Sequence, residues 1–288
     1  MRYPIAFLAC LWLASAPAPA AESQAGCAGF IDAAPKTIGT QGVWCLRQDL
    51  SHPGEYSAAI NINANNVTID CNGFRIEGLA SASDSFAAGI RADGQENITV
   101  RNCGVRGFLW GIRIVGGSGH LVEDNVLDHN FRNGIDFHES AGAVVRRNRV
   151  LDTGAGQNND SRRGIRVSGV DGAVFEVRDN IVGGVRGTSQ YFNGVQGISL
   201  YSASSATVTG NRVAGLVPNG TDRSAVGIAL GTVDRAFVFD NEVGVASPVA
   251  DSIGISCSQG EAALRGNSAR GFETAFSACF DDGGNAAR

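Results

Sequence analysis

The feature that most restricts this chain is a Gly-Ile step followed at a nearly fixed distance by Asn. The steps are Gly89-Ile90, Gly111-Ile112, Gly134-Ile135, Gly164-Ile165, Gly197-Ile198, Gly227-Ile228 and Gly254-Ile255. The asparagines are Asn125, Asn148, Asn180, Asn211, Asn241 and Asn267, with Asn72 opening the series and Cys103 taking the slot before Asn125. From Gly forward the spacings are 14, 14, 14, 16, 14, 14 and 13 residues, whereas the return to the next Gly varies from 8 to 17. Self-similarity of this period means a stack of units, each too small to bury its own apolar face.

The unit predicts β structure. VTID, ITVR, LVED, VVRR and FEVR are short, rich in β-branched residues, and alternate apolar with polar. Pro is scarce at 7, and Gly is abundant at 39 and falls at the bends. About 22 residues hold three short strands and three bends, one coil of a right-handed parallel β-helix. The expected fold is all-β, a single solenoid of about eight coils. Each recurring Asn is expected in the bend after the second strand, in a left-handed backbone, hydrogen-bonded to the Asn above and below.

The flanks read differently. Residues 1–21 carry Arg2, the apolar run IAFLACLWLA and a small-residue Ala18-Pro19-Ala20 end, the pattern of a secretory signal. Residues 22–60 are expected to form a capping region and first coil, 61–280 the β-helix, and 281–288 a polar tail. The apolar run is too short to span a bilayer, so membrane insertion is not expected and the protein should be exported, to the periplasm or beyond. Setting Cys10 aside with the leader leaves an even set of six cysteines, as suits an oxidising compartment. Cys27 and Cys45 could close the entry loop. Cys71 with Cys103, and Cys257 with Cys279, fall on neighbouring coils, each pair one residue out of strict register; buried free thiols are the alternative.

Charge excludes one class of partner. Without Arg2 there are 22 Lys+Arg against 28 Asp+Glu, so general nucleic-acid binding is not expected. Lys36 is the only lysine, and a guanidinium bias suits carboxylate recognition, although genome base composition produces the same bias. The three histidines His120, His129 and His138 recur every nine residues, but coils of 22 and 23 residues place the first two on other faces than the third. No metal and no cofactor is therefore expected, and a monomer is the expected state.

The residues after Gly-Ile carry the chemistry. Strands in a stack lie ~4.8 Å apart, so equivalent positions form columns. One outward column reads Arg91, Arg113, Asp136, Arg166, Ser199, Ala229 and Ser256. The next reads Asp93, Val115, His138, Ser168, Tyr201, Gly231 and Ser258. Charge gathers in the first half. Long segments before Gly89, Gly164 and Gly197 would wall an open floor around Arg113 and Asp136, with Phe86, Tyr191 and Phe192 available to stack on sugar rings. An acidic polysaccharide fits this composition: Arg113 and Arg166, with Arg91, neutralise a uronate carboxylate. Asp136 or His138 then takes the proton beside it, Asp93 or Glu139 tunes the imidazole, and Tyr201 is a distant candidate donor. A plain cross-strand charge ladder is the competing account.

AINI, NNVTIDCNGFRIEG and NITVRNC, together with the recurring GI steps, resemble the right-handed β-helix repeat proteins of the pectin-lyase-like superfamily. That resemblance covers most of the chain and implies the fold, but the scaffold hosts lyases, epimerases, hydrolases, tailspikes and inert proteins alike. GIDFHE also resembles the Asp-Pro-His-Asp/Glu strand motif of alginate C5-epimerases. That match implies Asp136 and His138 as its catalytic Asp and His, with Glu139 as its last acid. Phe137 replaces the proline, Asn133 stands where the catalytic tyrosine would, and Ser168 stands roughly where a second Asp would. The resulting expectation is a binder of acidic polysaccharide with lyase or C5-epimerase chemistry; the alternative is a non-catalytic carbohydrate-binding or envelope-surface protein.

Overall fold

A computed structural model describes residues 26–80, 86–154, 161–187, 194–219, 224–258 and 260–288. The expected secretory leader, residues 1–21, lies outside the described residues. Every named element is a strand, and all pair in parallel. Each coil contributes to three walls. The Gly-Ile wall runs through Ala88–Asp93, Trp110–Val115, the start of Asn133–Arg146 and of Arg162–Arg178, and Val195–Tyr201. The second wall includes Val67–Asp70, Thr99–Arg101 and His120–Glu123, and the third Arg75–Gly78, Gly104–Arg106 and Val126–Asp128. This is the all-β parallel solenoid that the repeat predicts.

Alternation sets the core. Ile90, Ile112, Ile135, Ile165, Ile198, Ile228 and Ile255 form one fully buried column. Each stacks on the apolar side chain of the coil below, removing hydrocarbon from water at ~25 cal/mol per Å². The glycine before each Ile is demanded by contact rather than by dihedral. A Cβ at Gly134 would run into the Val150 side chain and sit 2.9 Å from the Gly164 carbonyl oxygen.

The asparagines form a continuous internal ladder. Asn125, Asn148, Asn180, Asn211, Asn241 and Asn267 each donate their side-chain amide to the carbonyl oxygen of the next, at 2.9–3.0 Å. Each oxygen also accepts the backbone N–H of the preceding member, as in Asn148 to Asn180 at 3.0 Å. Asn125 begins the ladder by accepting from the Cys103 N–H. Two expectations need correction. The left-handed residue is the one before the ladder Asn: Asp124, Arg147, Asp179, Gly210, Asp240 and Gly266 carry positive φ. The sharp bend one residue early is what turns the following amide inward, where it meets its neighbours. Asn72 does have φ 49°, but its amide donates to the Leu46 carbonyl instead of joining the ladder.

Nor are residues 281–288 a tail. Ala286–Ala287 pairs with Ser268–Ser277, and Asn285 is the last rung, accepting from Asn267. A polar composition concealed one more half-turn of the stack. At the other end Lys36–Ile38 pairs with Ile60–Ile62, so the entry region is also helical solenoid. Disulfides Cys27–Cys45, Cys71–Cys103 and Cys257–Cys279 join the expected partners. No helix among the described residues is long and apolar enough to cross a membrane.

Candidate functional site

The backbone register aligns the first outward column as Arg91, Arg113, Asp136, Arg166, Ser199, Ala229 and Ser256. Asp136 lies at its centre. Its side chain is 2% exposed although it is on the outward face, because Arg113 and Arg166 close over it from the coils on either side. Arg166 donates to Asp136 Oδ1 at 3.1 Å, and Arg113 Nε stands 3.6 Å from Oδ2. Asn133 donates its amide to Oδ1 at 3.0 Å, which fixes the orientation of the Asn, since an ionised carboxylate only accepts.

Around this ion pair is a cavity of about 400 Å³. Four guanidinium groups line it, those of Arg113, Arg132, Arg163 and Arg166. Among the described residues that line it, Asp136 is the one carboxylate. Burial lowers the pKa of Arg113; Asp136 works against that, and Arg91, Arg132 and Arg166 add to the lowering. Burial likewise lowers that of Arg163, with Arg166 and Arg132 pushing the same way.

His138 lines the same cavity, with its side chain about a third exposed. Its Nδ1 faces the Arg166 guanidinium at 3.5 Å and its Nε2 faces Glu139 at 3.6 Å. A guanidinium only donates, so Nδ1 is the nitrogen that accepts from Arg166. Glu139 has φ 54°, and here the pairing with the next coil loses register between Phe137 and Ser140. The second outward column is therefore aligned as Asp93, Val115, His138 and then broken; Ser168 aligns with Tyr201 but not with His138.

The remaining expected residues fall outside the cavity. Arg91 and Asp93 pair with each other at 2.7 Å in solvent, one coil before Arg113, so Asp93 does not reach His138. Tyr201 donates to Gln196 Oε1 at 3.0 Å, and its ring lies over Gly231, where a Cβ would strike it. It touches the site only through Arg163, whose Nε donates to the same Gln196 oxygen at 2.8 Å. Tyr191 and Phe192 lie outside the described residues. His120 is buried, bonded to the Gly116 carbonyl, and His129 pairs with Asp128 in solvent, both away from the cavity. Among the described residues no group of three or more His, Cys, Asp or Glu is placed to hold a metal ion.

Trp110, Asn133 and Arg163 are lining residues that the positions after Gly-Ile do not reveal. They align with one another just before each Gly-Ile step. Reading that column, Ala88, Trp110, Asn133, Arg163, Gln196 and Val226, would have found them. Arg113 packs its guanidinium over the Trp110 ring, 3.9 Å from the centroid, and Arg132 approaches it at 5.8 Å. The indole thus fixes the cations whose charge it also attracts.

Residues 54–213 match the family model described as right handed beta helix region. Among solved structures, the chain resembles the mannuronan C-5 epimerase AlgE6 A-module of Azotobacter vinelandii, at 14% identity and TM-score 0.47, covering 92% of this chain and 91% of that one. It resembles the Dettilon tailspike protein at 16% identity and TM-score 0.48, covering 89% and 56%. It also resembles the DFA-IIIase of Arthrobacter chlorophenolicus A6 at 15% identity and TM-score 0.42, covering 80% and 70%. No curated protein matches in sequence. Likeness this remote says nothing about activity.

Proposed function

The chain belongs to the right-handed β-helix family, and we propose that its arginine-lined cavity binds an acidic, uronate-bearing polysaccharide. The observation that carries this reading is that Arg113 and Arg166 flank the buried Asp136 on the wall of a cavity that Arg163 also lines. Arg113 and Arg166 keep donor capacity beyond Asp136, and a planar carboxylate accepts the paired N–H groups of a guanidinium. Asp136 is their positioning residue. Held by both arginines and by Asn133, it is poorly placed to leave them and take a proton.

His138 is the base in the catalytic form of this reading. Neutralising a uronate carboxylate acidifies the C5 proton, and the imidazole lies beside the arginine that does so, at 3.5 Å from its guanidinium. The C5–H bond breaks and the proton passes to His138. If the C4–O bond then breaks, its oxygen leaves as an alcohol by taking a proton from His138 or from solvent, and the sugar keeps a C4–C5 double bond, a lyase reaction. If C5 is reprotonated from the opposite face, the product is the epimer. One observation favours the non-catalytic alternative: Tyr201, the candidate donor, is turned onto Gly231. Export is part of the same proposal, since three disulfides persist in oxidising compartments.

Three assays separate the cases. Polymannuronate or polygalacturonate developing ultraviolet absorbance identifies a lyase, and exchange of the C5 hydrogen with solvent identifies an epimerase. Silence in both, with retardation in a polyuronate affinity gel, leaves a binder. No retardation, and no activity, sinks the reading.

A further inference from the structure

Two aromatic side chains near the start of the stack are unused by the site described above. Tyr56 is 73% exposed and Phe86 is 52% exposed, yet their rings stack at 5.8 Å with an interplanar angle of 7°. They are consecutive in the stack. The Phe86 N–H donates to the Glu55 carbonyl at 2.6 Å, and Ile60 aligns with Ile90 just beyond. Neither ring serves the core, so the pair leaves apolar area in water at ~25 cal/mol per Å².

Their place in the fold connects them to the cavity. Phe86 leads into Ala88, which aligns with Trp110, which aligns with Asn133 on the cavity wall. Along the stack, Phe86 belongs to the coil two before that of Asp136 and Tyr56 to the coil three before it, about 10 and about 14 Å at the inter-strand spacing. That is the reach of a short oligosaccharide. Beyond the cavity in the other direction the same column continues as Ser199, Ala229 and Ser256, none of them charged.

We propose that the Tyr56–Phe86 pair is an outer ring-binding subsite for the same polysaccharide whose carboxylate enters the arginine cavity. A pyranose presents a face of C–H groups, and a flat, exposed aromatic ring accepts it without charge. The polymer then lies along the stack axis, across the N-terminal half of the face. This rests on the reading of the cavity given above.

The test is titration calorimetry with oligomannuronates and oligogalacturonates, from disaccharide to hexasaccharide. The wild type should gain about tenfold or more in affinity as the chain lengthens. Tyr56→Ala/Phe86→Ala should bind the disaccharide as the wild type does but lose the gain, with an unchanged melting temperature. Tyr56→Phe/Phe86→Tyr should restore it. Length dependence that survives in the alanine variant, or its absence from a wild type that binds, overturns the outer subsite alone. A wild type that binds none of these oligosaccharides overturns the reading of the cavity, and the subsite with it.

Discussion

The two halves of the Gly-Ile wall share a backbone and differ in everything they present outward. Arg113, Asp136 and Arg166 interlock over a cavity, while Ser199, Ala229 and Ser256 occupy the same column farther along with no charge among them. Inside, the halves are alike: the isoleucine column and the asparagine ladder run through both without interruption. The fold therefore constrains the inward positions of every coil and leaves the outward ones free.

The strongest test of the shared interior is Asn211→Ala. Asn211 donates to the Val177 carbonyl and to Asn241, and its oxygen accepts from the N–H and amide of Asn180. Removing it strands several buried groups, and denaturant unfolding should show a loss of about 3 kcal/mol or more. An equal loss is expected for Asn148→Ala in the other half, since the ladder does not distinguish them.

Next in size is the outward contrast. Arg113→Ala/Arg166→Ala should weaken polyuronate binding by roughly 2–5 kcal/mol in an equilibrium binding assay. Ser199→Ala/Ser256→Ala should leave it unchanged. Comparable losses from both pairs would erase the distinction between the halves. Raising the salt concentration should weaken the wild-type interaction, because the cations that hold the ligand are partly open to solvent.

Acid should separate the halves as well. All four histidines precede residue 139. Burial lowers the pKa of His52 and of His120 below the ordinary 6.5. A depressed folded pKa means that the unfolded chain binds the proton first. The stability these residues contribute is complete above pH 6.5 and is lost as pH falls through their folded pKa. Hydrogen exchange below that pH should quicken first around Ile98, whose N–H donates to His120 Nδ1, and later in the second half. The smallest effect belongs to the exposed Arg91–Asp93 pair. Arg91→Ala should change stability by under about 1 kcal/mol.

Much of this was legible in the chain. The Gly-Ile period gave the wall and its register, so that Arg113, Asp136 and Arg166 could be aligned by counting. Coil adjacency points to two of the cysteine pairs and closure of the entry loop to the third, with free thiols as the alternative that the three disulfides remove. Counting failed where the backbone departs from the period. The left-handed Glu139 breaks the column after His138, and nothing in GIDFHES marks that residue as a bend. Tyr201 was credited to the site from its column, yet the missing side chain at Gly231 lets its ring fall the other way. Trp110 and Arg163 precede the glycine, on a strand edge that periodicity alone does not show to face the cavity.

By itself the sequence determined a parallel β-solenoid, its inward columns and which residues share a level, because these follow from a repeat that only stacking can satisfy. The tertiary structure decided which aligned side chains meet. Asp136 sinks beneath two arginines, Trp110 holds one of them in place, and Tyr201 turns away. Those outcomes depend on side-chain direction and on local bends, and a column of letters carries neither.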